Sequence, residues 1–238
     1  MPLHRTSAPF AWPTQCVVCR GWGRERLCRP CRDRHAGPAV RCRGCALAVP
    51  AGIERCGRCL AQPLPFARVD AAVDYAFPWS TLVARLKFHA AVDLADALAA
   101  QMAARLRVDA ATQGVDLVLP LPLGRLRLAE RGMNQAWELA RRLARQLGLP
   151  AQAGLLERRV DTPHLADLPR EARAAAIRGA FALAPGASGP LRGSRVALVD
   201  DVMTTGATAA EAAQVLLDGG ADAVHLWVYA RTPAPAEA

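Results

Sequence analysis

Apolar residues recur every fourth position at Leu94, Leu98, Met102 and Leu106, the spacing of one helical face, and predict a helix over 92–106. The same pattern predicts a helix over 80–88. A strongly amphipathic helix follows over 134–147, closed by Gly148 and Pro150. A fourth, over 207–217, stops at Gly219-Gly220. Compact apolar runs of strand length lie between them. Val69–Tyr75, Asp116–Pro120, Arg195–Val199 and Ala223–Ala230 are the predicted strands. Arg158–Phe181 is polar and irregular at first, then helical. Strands alternating with helices imply an α/β fold with a mainly parallel sheet flanked by helices.

The start of the chain is punctuated by cysteine instead. All eight cysteines form four CxxC pairs: Cys16 and Cys19, Cys28 and Cys31, Cys42 and Cys45, Cys56 and Cys59. A tetrahedral Zn²⁺ site needs four thiolates on a short tether, and two CxxC knuckles supply them. Four knuckles therefore predict a small N-terminal double zinc ribbon with two structural zinc ions. The simplest pairing joins the first two knuckles and the last two, while an interleaved pairing satisfies the same spacing. Disulfides and an iron–sulfur cluster are the competing uses, and a reducing cytosol disfavours the disulfides. Pro63 and Pro65 follow the last cysteine. The expected division is a ribbon domain over 1–62 and an α/β domain over 63–238.

Composition adds a location and a charge. No apolar run approaches the ~18–20 residues needed to cross a bilayer. The first residues lack a basic segment followed by an apolar stretch. A cytoplasmic protein is expected, without membrane insertion. The net charge is +9, unevenly spread: residues 1–60 hold 11 arginines and three acids, and the remainder is close to neutral. Each tetrathiolate zinc site carries −2, so two leave the head at about +4. Arg20, Arg24, Arg26, Arg29, Arg41, Arg43, Arg55 and Arg58 flank the knuckles. Such flanks suit nucleic acid, and Trp12 or Trp22 adds a surface for stacking on bases. The same arginines also serve simply to solvate a small domain, and the tryptophans to build its core.

The most informative stretch runs from Arg195 to Thr208. A buried strand ends in Asp200 and Asp201, a short loop follows, and a helix begins at Ala207. That order places a ligand at the carboxyl end of a strand in an open α/β sheet. Loop amides and the helix N-terminus present N–H donors to a phosphate. Thr204, Thr205 and Thr208 add hydroxyls, and Gly206 allows close backbone approach. Asp200 and Asp201 suit two ribose hydroxyls, directly or through Mg²⁺.

This block resembles the 5-phosphoribosyl diphosphate loop of type I phosphoribosyltransferases. The resemblance implies that fold, and an earlier strand whose loop holds the diphosphate. Leu119–Gly124 is the candidate loop, followed by Arg125, Arg127 and Arg131 as cations for the diphosphate. Gly132 and Asn134 suit a lid hinge or a helix cap. With the cysteine head, Leu86–Phe88, Pro120–Leu123, Glu130–Gln135 and Val199–Thr208, the chain resembles the ComF/GntX family over nearly its whole length. These phosphoribosyltransferase-like proteins are linked to DNA uptake in competent bacteria. Met133 stands where members often carry Phe. Leu165 and Ala176 replace a Gln and an Asn that members tend to place around Thr162 and Phe181, while Arg178 and Phe181 fit. In the family reading Lys87, the chain's one lysine, faces the ligand.

The resemblance implies transfer of a phosphoribosyl group to an acceptor. Asp200 and Asp201 would be catalytic; Thr204, Thr205, Gly206, Ala207 and Thr208 would hold the 5′-phosphate; Lys87, Arg125, Arg127 and Arg131 would face the diphosphate. His89, His164 and His225 are isolated, and none marks itself as a base. Two uses stay open: a phosphoribosyltransferase, or an adaptor for nucleic acid or a partner that senses 5-phosphoribosyl diphosphate or a nucleotide. Single-stranded DNA and the DNA-uptake machinery are the partners implied.

Overall fold

The structure, a computed structural model, describes residues 13–89, 91–108, 112, 114–160 and 177–234. Trp12, Thr162, His164, Leu165 and Ala176 lie outside them. The chain forms two compact units, Met1–Gly37 and Pro38–Ala238. Among the described residues no helix is long and apolar enough to cross a membrane.

In the smaller unit β1 (Thr14–Gln15) pairs antiparallel with β2 (Trp22–Gly23), and α1 (Arg29–His35) begins within the second knuckle, with Cys28 as its N-cap and Cys31 in its first turn. Pro30 stands at the start of α1, where its missing N–H costs nothing.

The larger unit begins with the second pair of knuckles and the short helix α2 (Gly57–Ala61). It continues through β3 (Arg68–Asp74), α3 (Trp79–Phe88), α4 (Asp93–Val108), β4 (Leu117–Pro120), α5 (Arg125–Arg131) and α6 (Gln135–Leu147). A small antiparallel pair, β5 (Leu156–Arg158) with β6 (Phe181–Leu183), precedes β7 (Arg195–Met203), α7 (Ala207–Asp218) and β8 (Ala223–Arg231). The main sheet has the order β3-β8-β7-β4, with every pair parallel. This is the mainly parallel sheet with flanking helices that the alternating pattern implies. β7 runs four residues further than its apolar stretch, because its ladder with β8 continues to Met203 opposite Arg231. Asp200 and Asp201 are therefore held in a strand rather than in a loop.

Strand side chains alternate between two buried faces. Val224, Leu226 and Val228 share a core with Ala209, Ala212, Ala213 and Leu216 of α7. On the other face the Tyr229 hydroxyl hydrogen-bonds Gln101 Oε1 of α4 at 2.9 Å, and Trp79 of α3 meets the Tyr229 ring edge-on. Buried Arg142 of α6 pairs with Glu138 on its own helix and with Asp96 of α4 at 3.1 Å, joining the two helices. The second four-cysteine set enters the first of these cores: Cys42, Cys45 and Cys59 belong to the same buried cluster as Met203 and Val228.

Candidate functional site

β4 and β7 are neighbours, so the loops after them face each other at one edge of the sheet. Between them lies a cleft of about 170 Å³. Its walls include Lys87, Arg127, Arg131, Asp200, Asp201, and the run Thr204–Thr208. The structure thus brings together all the cleft residues singled out in the sequence except Arg125. That residue opens α5, is exposed, and does not line the cleft. α5 buries none of its residues. Gly132 ends it in the left-handed conformation, and Asn134 caps α6 by accepting from the Ala136 and Trp137 amides. The Asn134 amide also donates to the Leu121 carbonyl at 3.1 Å, which ties α6 to the loop after β4. Both residues act here as caps. Arg131 lies 5.2 Å over the Phe88 ring, an arrangement that steadies its guanidinium.

The loop over Thr204–Thr208 has a defined shape. Gly206 has φ +85°, and a Cβ there would come within 2.5 Å of Met203 Cε. Only glycine fits without strain. The Thr205 hydroxyl accepts from the Ala207 amide at 3.3 Å at the entrance to α7.

Asp201 is 3% exposed, and its Oδ1 lies 3.1 Å from the Lys87 ammonium. Its Oδ2 is buried with no hydrogen-bond partner. Asp200 accepts from the Asp201 amide at 2.8 Å. Burial, then the neighbouring Asp201 charge, pushes the Asp200 carboxyl up to about 8, against the opposing pull of Lys87. Two carboxylates side by side in this setting call for a cation. Oxygen donors of this kind suit a hard ion such as Mg²⁺.

Sequence reasoning did not single out Arg158, which also lines the cleft. Its guanidinium sits 5.6 Å over the Phe181 ring. Its placement depends on the β5–β6 pair, for which the polar run around it gave no signal. His225 lies near the start of β8, opposite Arg68, at the far end of the sheet from the loop.

The cysteines fall into two groups, Cys16/Cys19/Cys28/Cys31 and Cys42/Cys45/Cys56/Cys59, each with its Sγ atoms within 4.8 Å of one another. The sequential pairing is therefore the one adopted. The Cys19–Cys28 and Cys45–Cys56 sulfurs are 3.8 Å and 3.7 Å apart. A tetrahedral ion with Zn–S bonds of ~2.3 Å needs S···S of about 3.8 Å; a disulfide needs about 2.05 Å. Amides also point at sulfur, as Cys56 N–H does to Cys42 Sγ at 3.2 Å. Burial raises the Cys42 thiol, but the Cys56 and Gly44 amides outweigh it and bring the pKa down to about 7. Burial and its neighbouring thiols push Cys31 up to about 12. A divalent cation is what allows all four thiols of a group to ionise together.

No protein-family model matches the chain. The DNA utilization protein YhgH of Escherichia coli K12 is 33% identical over 228 residues, covering 92% of this chain and 98% of that one. Competence protein F of Haemophilus influenzae is 30% identical over 224 residues, covering 91% and 96%. The chain belongs to the ComF/GntX family. Among solved structures, the glutamine phosphoribosylpyrophosphate amidotransferase of B. subtilis is similar at a TM-score of 0.37 with 21% identity. The match covers 56% of this chain and about a quarter (26%) of that one. Within the ComF/GntX family the present chain thus carries two four-cysteine groups and a cationic cleft around an acid pair.

Proposed function

We propose that the cleft binds 5-phosphoribosyl diphosphate together with Mg²⁺, as a ComF-type protein acting in DNA uptake or nucleotide metabolism. The observation that carries this reading is the acid pair at the end of β7. A buried carboxylate oxygen without a partner stands in a cleft that Thr204–Thr208, Lys87, Arg127 and Arg131 also line. Thr204–Thr208 and the start of α7 hold the 5′-phosphate. Asp200 and Asp201 hold the ribose hydroxyls and the ion, while the cations face the diphosphate. Mg²⁺ supplies charge neutralisation of the departing diphosphate.

If transfer occurs, the C1′–O bond to diphosphate breaks, the leaving group takes the electron pair, and an acceptor nitrogen bonds to C1′. Lys87, Arg127 and Arg131 stabilise the departing charge, and Asp200 and Asp201 the cationic ribose. Calorimetry with 5-phosphoribosyl diphosphate, with and without Mg²⁺, tests binding. Release of diphosphate on adding bases, nucleosides or single-stranded DNA then separates a transferase from a sensor.

A second reading concerns the smaller unit. Trp22 is 73% exposed beside the arginines of the first knuckles, and relatives carry the names DNA utilization protein and Competence protein F. Single-stranded DNA is the ligand that an exposed indole among arginines fits.

A further inference from the structure

One side chain touches both the second four-cysteine group and Met203, the strand residue that leads into the Thr204–Thr208 loop. Arg231 ends β8 and is 3% exposed. Its Nε donates to the Cys45 carbonyl at 2.6 Å, and its Nη1 donates to the Met203 carbonyl at 3.1 Å and the Thr232 carbonyl at 2.5 Å. These acceptors are main-chain carbonyls. A buried guanidinium needs a compensating charge, and a tetrathiolate centre with its ion provides −2 next to it.

Two more contacts join the same parts. Arg58, between the ligand positions Cys56 and Cys59, reaches the Thr205 carbonyl at 3.5 Å. Leu64, just past α2, sits 3.3 Å from where a Cβ on Gly206 would stand. Met203, through Arg231, and Thr205, through Arg58, are therefore linked to the second four-cysteine group, and Gly206 lies beside Leu64, five residues past its last cysteine.

We propose that the second four-cysteine centre holds the phosphate loop in its binding shape, and that Arg231 is the positioning residue linking Cys45 to Met203. The inference rests on the ligand reading above only for the name of the ligand. Loss of the second metal, by chelation or thiol oxidation, then loosens Thr204–Thr208 and weakens binding there. Ligand and metal are linked in both directions, so an occupied loop raises the affinity for that one ion.

Amide hydrogen exchange on the full zinc-loaded chain, without ligand, tests this. Arg231→Met should keep both metal ions and leave α4 exchange unchanged. It should raise exchange over 204–208 about tenfold, the scale of losing a charge-assisted hydrogen bond. Cys59→Ser should loosen the same amides, and Cys31→Ser, in the other unit, should not. Arg231→Lys, which keeps the charge but not the fork, should fall between wild type and Arg231→Met. Unchanged loop exchange in Arg231→Met with both ions bound overturns the proposal. Should that variant not fold, unchanged loop exchange in Cys59→Ser or wild-type exchange in Arg231→Lys does so. Calorimetry on the same proteins keeps the two ideas apart. Failure of the wild type to bind 5-phosphoribosyl diphosphate refutes the ligand reading, while the exchange data still decide the role of Arg231.

Discussion

The Lys87 ammonium lies 3.1 Å from one oxygen of Asp201, while the other oxygen of that carboxylate is buried without a partner. One oxygen of the carboxylate is paired by the protein, and the other is left for a ligand-borne cation. Replacing Lys87 by Met should leave the Asp200–Asp201 pair uncompensated. The expected outcome is a thermal midpoint lowered by several degrees, corresponding to roughly 2–3 kcal/mol. Mg²⁺ should recover part of the loss in Lys87→Met and have a smaller effect on wild type. Equal response to Mg²⁺ in both would refute the cation demand at this pair.

Gly206 tests the loop itself. A methyl group there meets Met203 Cε and holds a residue at φ +85°. Gly206→Ala should cost about 1–2 kcal/mol and weaken phosphate-containing ligands by about tenfold or more. Thermal unfolding and calorimetry report the two effects separately. Tight ligand binding in Gly206→Ala would show that the loop does not hold the phosphate.

His225 sets a pH limit on stability. Burial, then the charges of Arg195 and Arg68, lower its pKa to about 4 in the folded chain, against 6.5 for the free group. Well above 6.5 the imidazole is neutral in both states and its titration adds no pH dependence. As pH falls from 6.5 through 4 the unfolded chain takes up a proton that the folded chain refuses, so stability drops by roughly 3 kcal/mol. Denaturant unfolding of wild type and His225→Gln across this window checks it. The drop should shrink in the variant.

The DNA reading predicts weak, salt-sensitive binding. Affinity for a labelled single strand should fall by roughly 0.7 log units per contacted phosphate for each tenfold rise in salt. Trp22→Ala should remove a stacking contribution of roughly 1–3 kcal/mol. Fluorescence anisotropy at several salt concentrations measures both. Binding unaffected by Trp22→Ala would exclude stacking at that residue.

Much of this architecture is legible in the sequence, for physical reasons. Buried parallel strands demand continuous apolar runs, and Val118, Leu119 and Val196–Val199 supply them. The Thr204–Thr208 loop is legible because an acid pair, threonines and a glycine stand at fixed spacing between an apolar strand and a helix. The β5–β6 pair has only three residues on each side, and its partners are far apart in sequence, so no periodicity marks it. Cysteine spacing defines four knuckles but says nothing of what each packs against. The structure parts the chain at Gly37 and places the second four-cysteine group in the core beneath the sheet. Arg231 shows the same limit: as one arginine at the end of an apolar strand it looks like a boundary residue, and only the fold brings Cys45 and Met203 to it.

The central claim is Mg²⁺-dependent binding at the acid pair. Titration calorimetry of 5-phosphoribosyl diphosphate into wild type and Asp200→Ala/Asp201→Ala tests it most directly. Because burial and the Asp201 charge hold the Asp200 carboxyl well above the usual carboxylate range in the free protein, binding should release a proton and tighten as pH rises. The expected result is saturable binding to wild type only with Mg²⁺, and none to a folded double variant. Equal affinity in the double variant, or binding indifferent to Mg²⁺, would contradict the site assignment.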